Sequence, residues 1–111
     1  MRMWNIDPKH MCRKHLLGEH LEMHMFVGSI NKKISMKGYL EKGFLEIHNL
    51  KKRHDALVEE MKKRGYNHKS PLPVINIRKK MGKVNVIQSY QEIVGKCKEC
   101  RKQMSNLNKQ S

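Results

Sequence analysis

Two carboxylates stand three residues apart in the stretch HLLGEHLE, residues 15 to 22 of a strongly basic chain. Glu19 and Glu22 would share one face of a helix with His15 and Gly18, because residues three or four apart meet there. A glycine inside a helix costs about 1 kcal/mol relative to alanine, so Gly18 needs a compensating reason, such as the close approach of a ligand. From this helix alone, surface charges paired with lysines are the simpler interpretation.

The residues before this helix could bring an amine to the carboxylates. The chain begins MRMW, so a short lead could fold back over the helix with Trp4 as its anchor. A free α-amine has a reference pKa of about 7.7–8.0, against about 10.4 for lysine, so part of it is an uncharged nucleophile at neutral pH. An amine beside a carboxylate can form an imine at a sugar carbon, with the carboxylate stabilising positive charge and moving protons. Arg2 disfavours removal of Met1, which would then carry the amine.

Three stretches together resemble a known family. They are Met1-Arg2, HLLGEHLE, and LKKRHDALVEEMKKRGYNHK at residues 50 to 69, and they cover about the first seventy residues. They resemble the pyrimidine-dimer DNA glycosylase family, whose type member is the bacteriophage endonuclease V. The resemblance implies a glycosylase and abasic-site lyase that uses neither metal nor cofactor. In that chemistry the α-amine displaces the damaged base, an imine joins protein to sugar, and β-elimination cuts a strand of bent duplex DNA with an extruded nucleotide.

Carried over residue by residue, the resemblance makes Met1 the nucleophile and Glu22 the essential carboxylate. Arg2 would contact phosphate and His15 would line the site. Leu21 stands where the family has an arginine, so one phosphate contact is expected to be absent. The chain ends SNLNKQS, without the aromatic residues of the type member's tail, so the preferred lesion, pyrimidine dimer or abasic site, stays open. Further substrate or DNA contacts are expected from Glu19, Arg13, Lys32, Lys33, Arg53, His68 and Lys69.

Composition favours the same kind of partner. The 24 Lys and Arg outnumber the 10 Asp and Glu, for a formal net charge of +14. That excess favours a polyanion, here damaged double-stranded DNA, over a membrane. A length of 111 residues predicts a single domain, residues 1–111. No apolar run approaches the roughly 20 residues of a membrane span, and a secretory signal is lacking, so we expect a cytoplasmic protein that acts as a monomer.

Apolar periodicity predicts an all-α fold, compact and built of three main helices with irregular connections. The first helix should run from about residue 8 to 33, with Asp7 as its N-cap and Pro8 in its first turn. The second should span about 46 to 64 and stop at Gly65. Its apolar stripe would be Ile47, Leu50, His54, Leu57, Val58 and Met61.

The third helix should span about 84 to 104, with an inner side made of Ile87, Tyr90, Val94, Cys97 and Met104. The stretch GYLEKGF after the first helix is expected to be a loop or a short helical turn. Residues 74 to 80 are expected to be extended or irregular, and residues 105 to 111 to be frayed.

Cysteines and histidines leave a second interpretation open. Cys97 and Cys100 form a single CxxC, and Cys12 with a histidine could complete a four-ligand zinc site only if the chain ends meet. Core packing is the simpler interpretation of these cysteines, as it is of His20 and His24, which stand four residues apart. We therefore predict no metal site. The alternative function is a non-catalytic, basic three-helix module that binds nucleic acid, with or without stabilising zinc.

Overall fold

The computed structural model describes residues 1–68, 71–75 and 79–109, without the side chains of residues 108 and 109. Within these ranges there are helices and no strands, which confirms the predicted all-α class. The number of α-helices is five, where three were predicted. They are α1 Arg13–Asn31, α2 Lys37–Glu41, α3 Leu50–Lys63, α4 Val86–Lys96 and α5 Lys98–Lys109.

The first helix starts later than its sequence signals predict. Asp7 does act as an N-cap, accepting a hydrogen bond from the Lys9 N–H at 3.1 Å, but the helix it caps is the short 3-10 turn Pro8–His10. Cys12 is extended and α1 begins only after it. The predicted start near residue 8 was therefore wrong, because a good cap can begin a single turn as readily as a long helix.

Helix α3 packs along α1 and closes the main core. Every residue of its predicted apolar stripe is buried, including His54, so that prediction is confirmed. A 3-10 turn, Ile47–Asn49, leads into α3, and Gly65 follows its end with a φ of 83°. From α1 the main contributors to the core are Leu16, Met23, Phe26, Val27 and Ile30.

The predicted third helix is two helices. Cys97 is extended and separates α4 from α5, so the continuous helix over 84–104 was wrong. The predicted inner face was partly wrong. Ile87 is 73% and Val94 36% exposed, while Ser89 and Ile93 are buried. Tyr90, Cys97 and Met104 pack against the core as predicted. Apolar residues occur on both sides of α4, and the break at Cys97 decides which side faces inward. Of the residues predicted to be frayed, 105–109 are helical, and 110 and 111 lie outside the described ranges.

The connections are irregular as predicted, and the short helix α2, which begins one residue before GYLEKGF, agrees with the short helical turn expected there. Of residues 74–80, positions 76–78 lie outside the described ranges, and the others are irregular. Gly82 has a φ of 91°, and a Cβ there would lie 2.0 Å from the carbonyl oxygen of Leu45, so only glycine fits. Among the described helices, none is long and apolar enough to cross a membrane.

Candidate active site

The N-terminal amine lies beside Glu22, the second carboxylate of α1. The Met1 nitrogen is 3.8 Å from Glu22 Oε1, and the backbone N–H of Arg2 donates to the same oxygen at 2.8 Å. Both side chains keep some exposure, 16% for Met1 and 27% for Glu22. A Cβ at Gly18 would contact only Glu22 Oε2, at 4.0 Å, and nothing else within that distance. An amine, a carboxylate and open space thus adjoin one another.

Buried anchors hold the N-terminal segment in this position. Met3 and Ile6 are fully buried, and the Met3 N–H donates to the carbonyl of Phe44 at 2.6 Å. Trp4 packs edge-on against the ring of His15, with 5.8 Å between the ring centroids. Because these anchors come directly after Met1 and Arg2 in the chain, they hold the amine close to Glu22.

The Arg2 side chain faces aromatic rings and a carboxylate of the protein. Its guanidinium lies 3.8 Å from the ring centroid of Trp4 and 4.2 Å from that of Phe44. It also pairs with Glu92 on α4, and this hydrogen bond is the main cause that lowers the pKa of Glu92. Arg2 thus joins the amine segment to α4. The predicted phosphate contact stays a prediction, and Glu92, which is 90 residues from Arg2 in sequence, gave no sequence signal.

Glu19 and Arg53, both predicted to contact DNA, are buried against each other. Arg53 Nε and Nη2 donate to the two Glu19 oxygens at 2.5 and 2.9 Å, and Arg53 Nη1 donates to the carbonyl of Ile6 at 2.6 Å. Burial raises the pKa of Glu19, and the hydrogen bond from Arg53 opposes that shift. With side-chain exposures of 0% for Glu19 and 7% for Arg53, the pair has no surface to offer DNA. It supports the N-terminal segment instead.

Three of the other predicted DNA contacts are exposed. Arg13 sits at the start of α1 near the Tyr66 ring, and Lys32 and Lys33 stand at its end. His68 is half-buried in a cluster of histidines, and Lys69 lies outside the described residues. Arg13, Lys32 and Lys33 thus place cationic side chains at the two ends of α1.

His15, predicted to line the site, faces all three cysteines. Its Nδ1 is 3.3 Å from Cys12 Sγ and 3.6 Å from Cys100 Sγ, and Cys97 Sγ is 3.8 Å from Cys12 Sγ. Burial, followed by the charge of Lys14, lowers the pKa of His15, while Glu22 acts in the opposite direction. These four residues could hold a metal ion. Sequence separation hid the arrangement, since Cys12 and Cys97 are 85 residues apart.

A second group of possible metal ligands joins α1 to α3. It consists of His20, His24, His54 and His68. Burial first, then the neighbouring histidines, lower the pKa of His20 to about 4, so this ring is uncharged near neutral pH. The spacing of His20 and His24 was visible in the sequence, but the approach of the other two rings was not.

Comparison with known families assigns the first two thirds of the chain. The family model described as pyrimidine dimer DNA glycosylase matches residues 1–74. The chain belongs to this pyrimidine dimer DNA glycosylase family. The predicted resemblance is thereby confirmed, and membership makes damaged DNA the substrate class and DNA repair the context. No curated protein and no solved structure gave a match.

The family match covers Met1, Arg2, Glu19 and Glu22, together with α1 and α3. It ends before α4 and α5, which supply Glu92 and two of the cysteines. In this glycosylase, the C-terminal helices therefore contact the amine segment and His15 from outside the matched region. Both metal-ligand groups contain residues of the matched region, but only the cysteine group depends on α5.

Proposed function

We propose that this family member is a DNA glycosylase with abasic-site lyase activity, in which the α-amine of Met1 is the nucleophile and Glu22 the essential carboxylate. The observation that carries the proposal is the 3.8 Å between the Met1 nitrogen and Glu22 Oε1 at a partly exposed position. Either pyrimidine dimers or abasic sites would serve as substrate, since both present the same deoxyribose carbon to the amine.

The chemistry needs an uncharged amine, and then a group that handles protons. The Met1 nitrogen attacks C1′ of the deoxyribose, the C1′–N bond to the base breaks, and the nitrogen loses a proton. The C1′–O4′ bond then breaks and O4′ takes up a proton, so that the sugar ring opens and an imine joins Met1 to C1′. Removal of a C2′ proton then drives β-elimination, which breaks the C3′–O bond and cuts the strand. Glu22 is placed to accept the amine proton and to stabilise the positive charge that develops on the sugar.

Hydrogen bonding supports this division of roles. The Arg2 N–H fixes Glu22 Oε1 next to the amine, while Oε2 faces the open space at Gly18. A flipped nucleotide could bring its sugar to that space, as enzymes that act on a base extrude it from the stack. The guanidinium of Arg2, held by Trp4, Phe44 and Glu92, keeps the backbone of the amine segment still.

Replacement of Glu22 by Gln tests the catalytic assignment. We expect Glu22→Gln to lower the rate of abasic-site nicking by at least about 10²-fold, since a positioned general base contributes that much. DNA affinity and the thermal unfolding midpoint should change little, because the Gln can still accept the Arg2 hydrogen bond. Glu59→Gln, an exposed carboxylate change on α3, is the matched control. Normal nicking by Glu22→Gln would disprove the role.

Borohydride trapping tests the nucleophile directly. Reduction during turnover should give a covalent protein–DNA complex, with the modification located on the Met1 amine by peptide mass spectrometry. A variant with one extra residue before Met1 should lose trapping while it keeps its fold. Running abasic and thymine-dimer duplexes side by side separates the lyase from the glycosylase activity. Tight DNA binding with neither trapping nor nicking would favour the non-catalytic binding module.

A further inference from the structure

All three cysteines and one histidine meet at a single point between the two ends of the chain. Cys12 and His15 come from the start of α1, whereas Cys97 and Cys100 come from the junction of α4 and α5. Their potential ligand atoms all lie within 4.8 Å of one another. None of the cysteines forms a disulfide. The predicted active site does not use the cysteines, so their convergence calls for a separate explanation.

The distances fit a tetrahedral zinc ion. Zinc with Zn–S bonds of about 2.3 Å and Zn–N bonds of about 2.0 Å holds its sulfurs about 3.8 Å apart and each sulfur about 3.5 Å from the nitrogen. The observed separations are 3.8 Å between Cys12 Sγ and Cys97 Sγ, and 3.3 and 3.6 Å from His15 Nδ1 to two of the sulfurs. Close packing of four ligand atoms around a shared centre is what such an ion produces.

Backbone donors around the sulfurs favour thiolates. The Cys12 N–H points at Cys100 Sγ at 3.3 Å, and the Cys100 N–H points at Cys97 Sγ at 3.4 Å. Hydrogen bonds to an ionised sulfur are stronger than those to a thiol, so these donors stabilise the metal-binding form. The second of them is made within the CxxC itself, where the chain turns from α4 into α5.

We propose that Cys12, His15, Cys97 and Cys100 bind one structural zinc ion. The ion has four protein ligands and no open position, so it serves the fold and takes no part in DNA cleavage. It fastens the start of α1 to the α4–α5 junction. Because Trp4 packs on His15, the zinc also supports the aromatic ring on which Arg2 rests.

Metal analysis of untagged full-length protein tests the site. Elemental mass spectrometry should find zinc in the purified protein, and Cys97→Ser should lose one equivalent relative to wild type. Cobalt substitution should add a thiolate-to-metal charge-transfer band that Cys97→Ser lacks. His48→Gln, a histidine outside both ligand groups, should behave as wild type.

The wild type alone keeps the proposal testable if Cys97→Ser does not fold. The wild-type thiols should react slowly with Ellman's reagent, and the rate of this reaction should rise after a strong chelator removes the ion. Equal reaction rates with and without chelator, or a cobalt complex without thiolate charge transfer, would overturn the assignment. So would a protein that binds no zinc in its reduced form.

The second histidine group carries an independent inference. His20 and His24 project from α1, His54 from α3, and His68 from the segment after α3. Five pairs among the four rings have centroids between 4.8 and 5.4 Å apart. Imidazoles on one tetrahedral ion, with metal–nitrogen bonds of about 2.0–2.1 Å, have centroids about 5 Å apart. The rings surround a common centre, whereas simple stacking would place them face to face in rows.

Unpartnered nitrogens point to that centre. The Nε2 atoms of His20, His54 and His68 are buried and have no hydrogen-bond partner among the described residues, which is costly for a polar atom. On the other side of its ring, His54 Nδ1 bonds Asp55 Oδ1 at 3.0 Å, and Asp55 is held in turn by Lys51. A histidine that binds metal commonly donates its second N–H to a carboxylate in this way.

We infer that His20, His24, His54 and His68 bind a second divalent transition ion, with zinc as its expected occupant. Neutral imidazole suits zinc, and four such ligands again leave no open position. The ion would fasten α1 to α3 and to the segment that carries His68. The wild type should then contain two zinc ions per chain, from two sites of different chemistry.

Two substitutions isolate this second site. His68→Asn should remove one equivalent of zinc and retain the cobalt thiolate band, whereas Cys97→Ser should show the reverse pattern. Asp55→Asn should keep the ion but bind it 10–100-fold more weakly, as measured against a chromophoric chelator. If Asp55 serves only the fold and no metal is bound, Asp55→Asn and wild type should give the same result in the chelator competition. Equal zinc content in wild type and His68→Asn would overturn the inference.

Discussion

Two carboxylates three positions apart on α1 have opposite environments. Glu19 points into the protein and is enclosed with Arg53, while Glu22 stays partly exposed beside the Met1 amine. The difference follows from their positions on the helix, because Glu19 lies on the side that packs against α3. Of these two carboxylates, Glu19 therefore stabilises the fold, and Glu22 is the one that remains accessible beside the amine.

The buried pair makes a prediction about stability. Arg53→Ala should lower the free energy of unfolding by about 3–5 kcal/mol, because it leaves Glu19 buried without its counter-charge. The double variant Glu19→Leu/Arg53→Met should recover most of that loss, since it removes both charges while keeping volume. Lys52→Ala, one position away and exposed, should change stability by less than about 0.5 kcal/mol. Urea denaturation followed by circular dichroism measures all three.

The opposite result would show that the pair is weakly coupled. If Arg53→Ala unfolds at the same urea concentration as Lys52→Ala, burial of the pair contributes nothing measurable. Should the double variant be as unstable as the single one, lost packing rather than lost charge would be the cause. Either outcome leaves the proposed roles of Met1 and Glu22 untouched.

At the scale of elements, helices were predicted well where one apolar face dominates. The stripe of α3 was correct in every position, because its exposed side is charged almost throughout. In α4 the apolar residues occupy both sides, so periodicity chose Ile87 where the structure buries Ile93. Gly95 stands two residues before the break at Cys97, but a single glycine inside a helical pattern does not by itself predict a break. If zinc binds there, ligand geometry sets the break, and no helix propensity could have predicted it.

Glu46 ties three connecting segments together and makes folding sensitive to acid. Its carboxylate accepts hydrogen bonds from the backbone of Val84 and from the side chains of Asn5 and Asn49. Burial alone would raise the pKa of Glu46, but these hydrogen bonds, with Val84 first, outweigh it and lower the pKa below the usual 4.5. The carboxylate form is therefore the one that the folded state prefers.

The sign of the pH dependence follows. A carboxyl whose pKa is lower in the folded state than in the unfolded state stabilises the protein at pH values above the unfolded-state pKa. That contribution disappears as the pH falls through the folded-state pKa. We expect wild type to be more stable than Glu46→Gln near pH 7, with the difference shrinking below about pH 4.5. Urea denaturation across pH 3 to 7 measures it. A difference that stays constant over this range would contradict the assigned hydrogen bonds.

At the scale of the whole molecule, the sequence showed which reactive residues are present but not which of them lie together in the fold. The amine and Glu22 could be paired from sequence because both lie in a short, recognisable stretch. Cys12 and Cys97 could not, since 85 residues separate them and no local pattern brings the chain ends together. Glu92 was missed for the same reason. Whether these distant residues come into contact depends on how α1, α4 and α5 pack against one another.

Net charge gives the last prediction, on DNA affinity. A formal charge of +14 makes release of counterions from DNA the main source of binding energy. If the protein contacts six or more phosphates, its affinity for duplex DNA should fall by about 10³-fold or more between about 50 and 200 mM salt. Fluorescence anisotropy over this range gives the slope of log affinity against log salt.

Exposed lysines at the end of α1 should account for part of that slope. Lys32→Gln/Lys33→Gln should reduce its magnitude by about 2, because each phosphate contact contributes about 0.9. Lys102→Gln on α5, outside the family-matched residues, should leave the slope unchanged. Gln removes the charge and keeps a polar side chain, and the lysines are exposed, so a change in slope reports charge rather than packing. Equal slopes for the double variant and wild type would place the DNA away from this end of α1, while the chemistry at Met1 and Glu22 would still be tested separately by trapping.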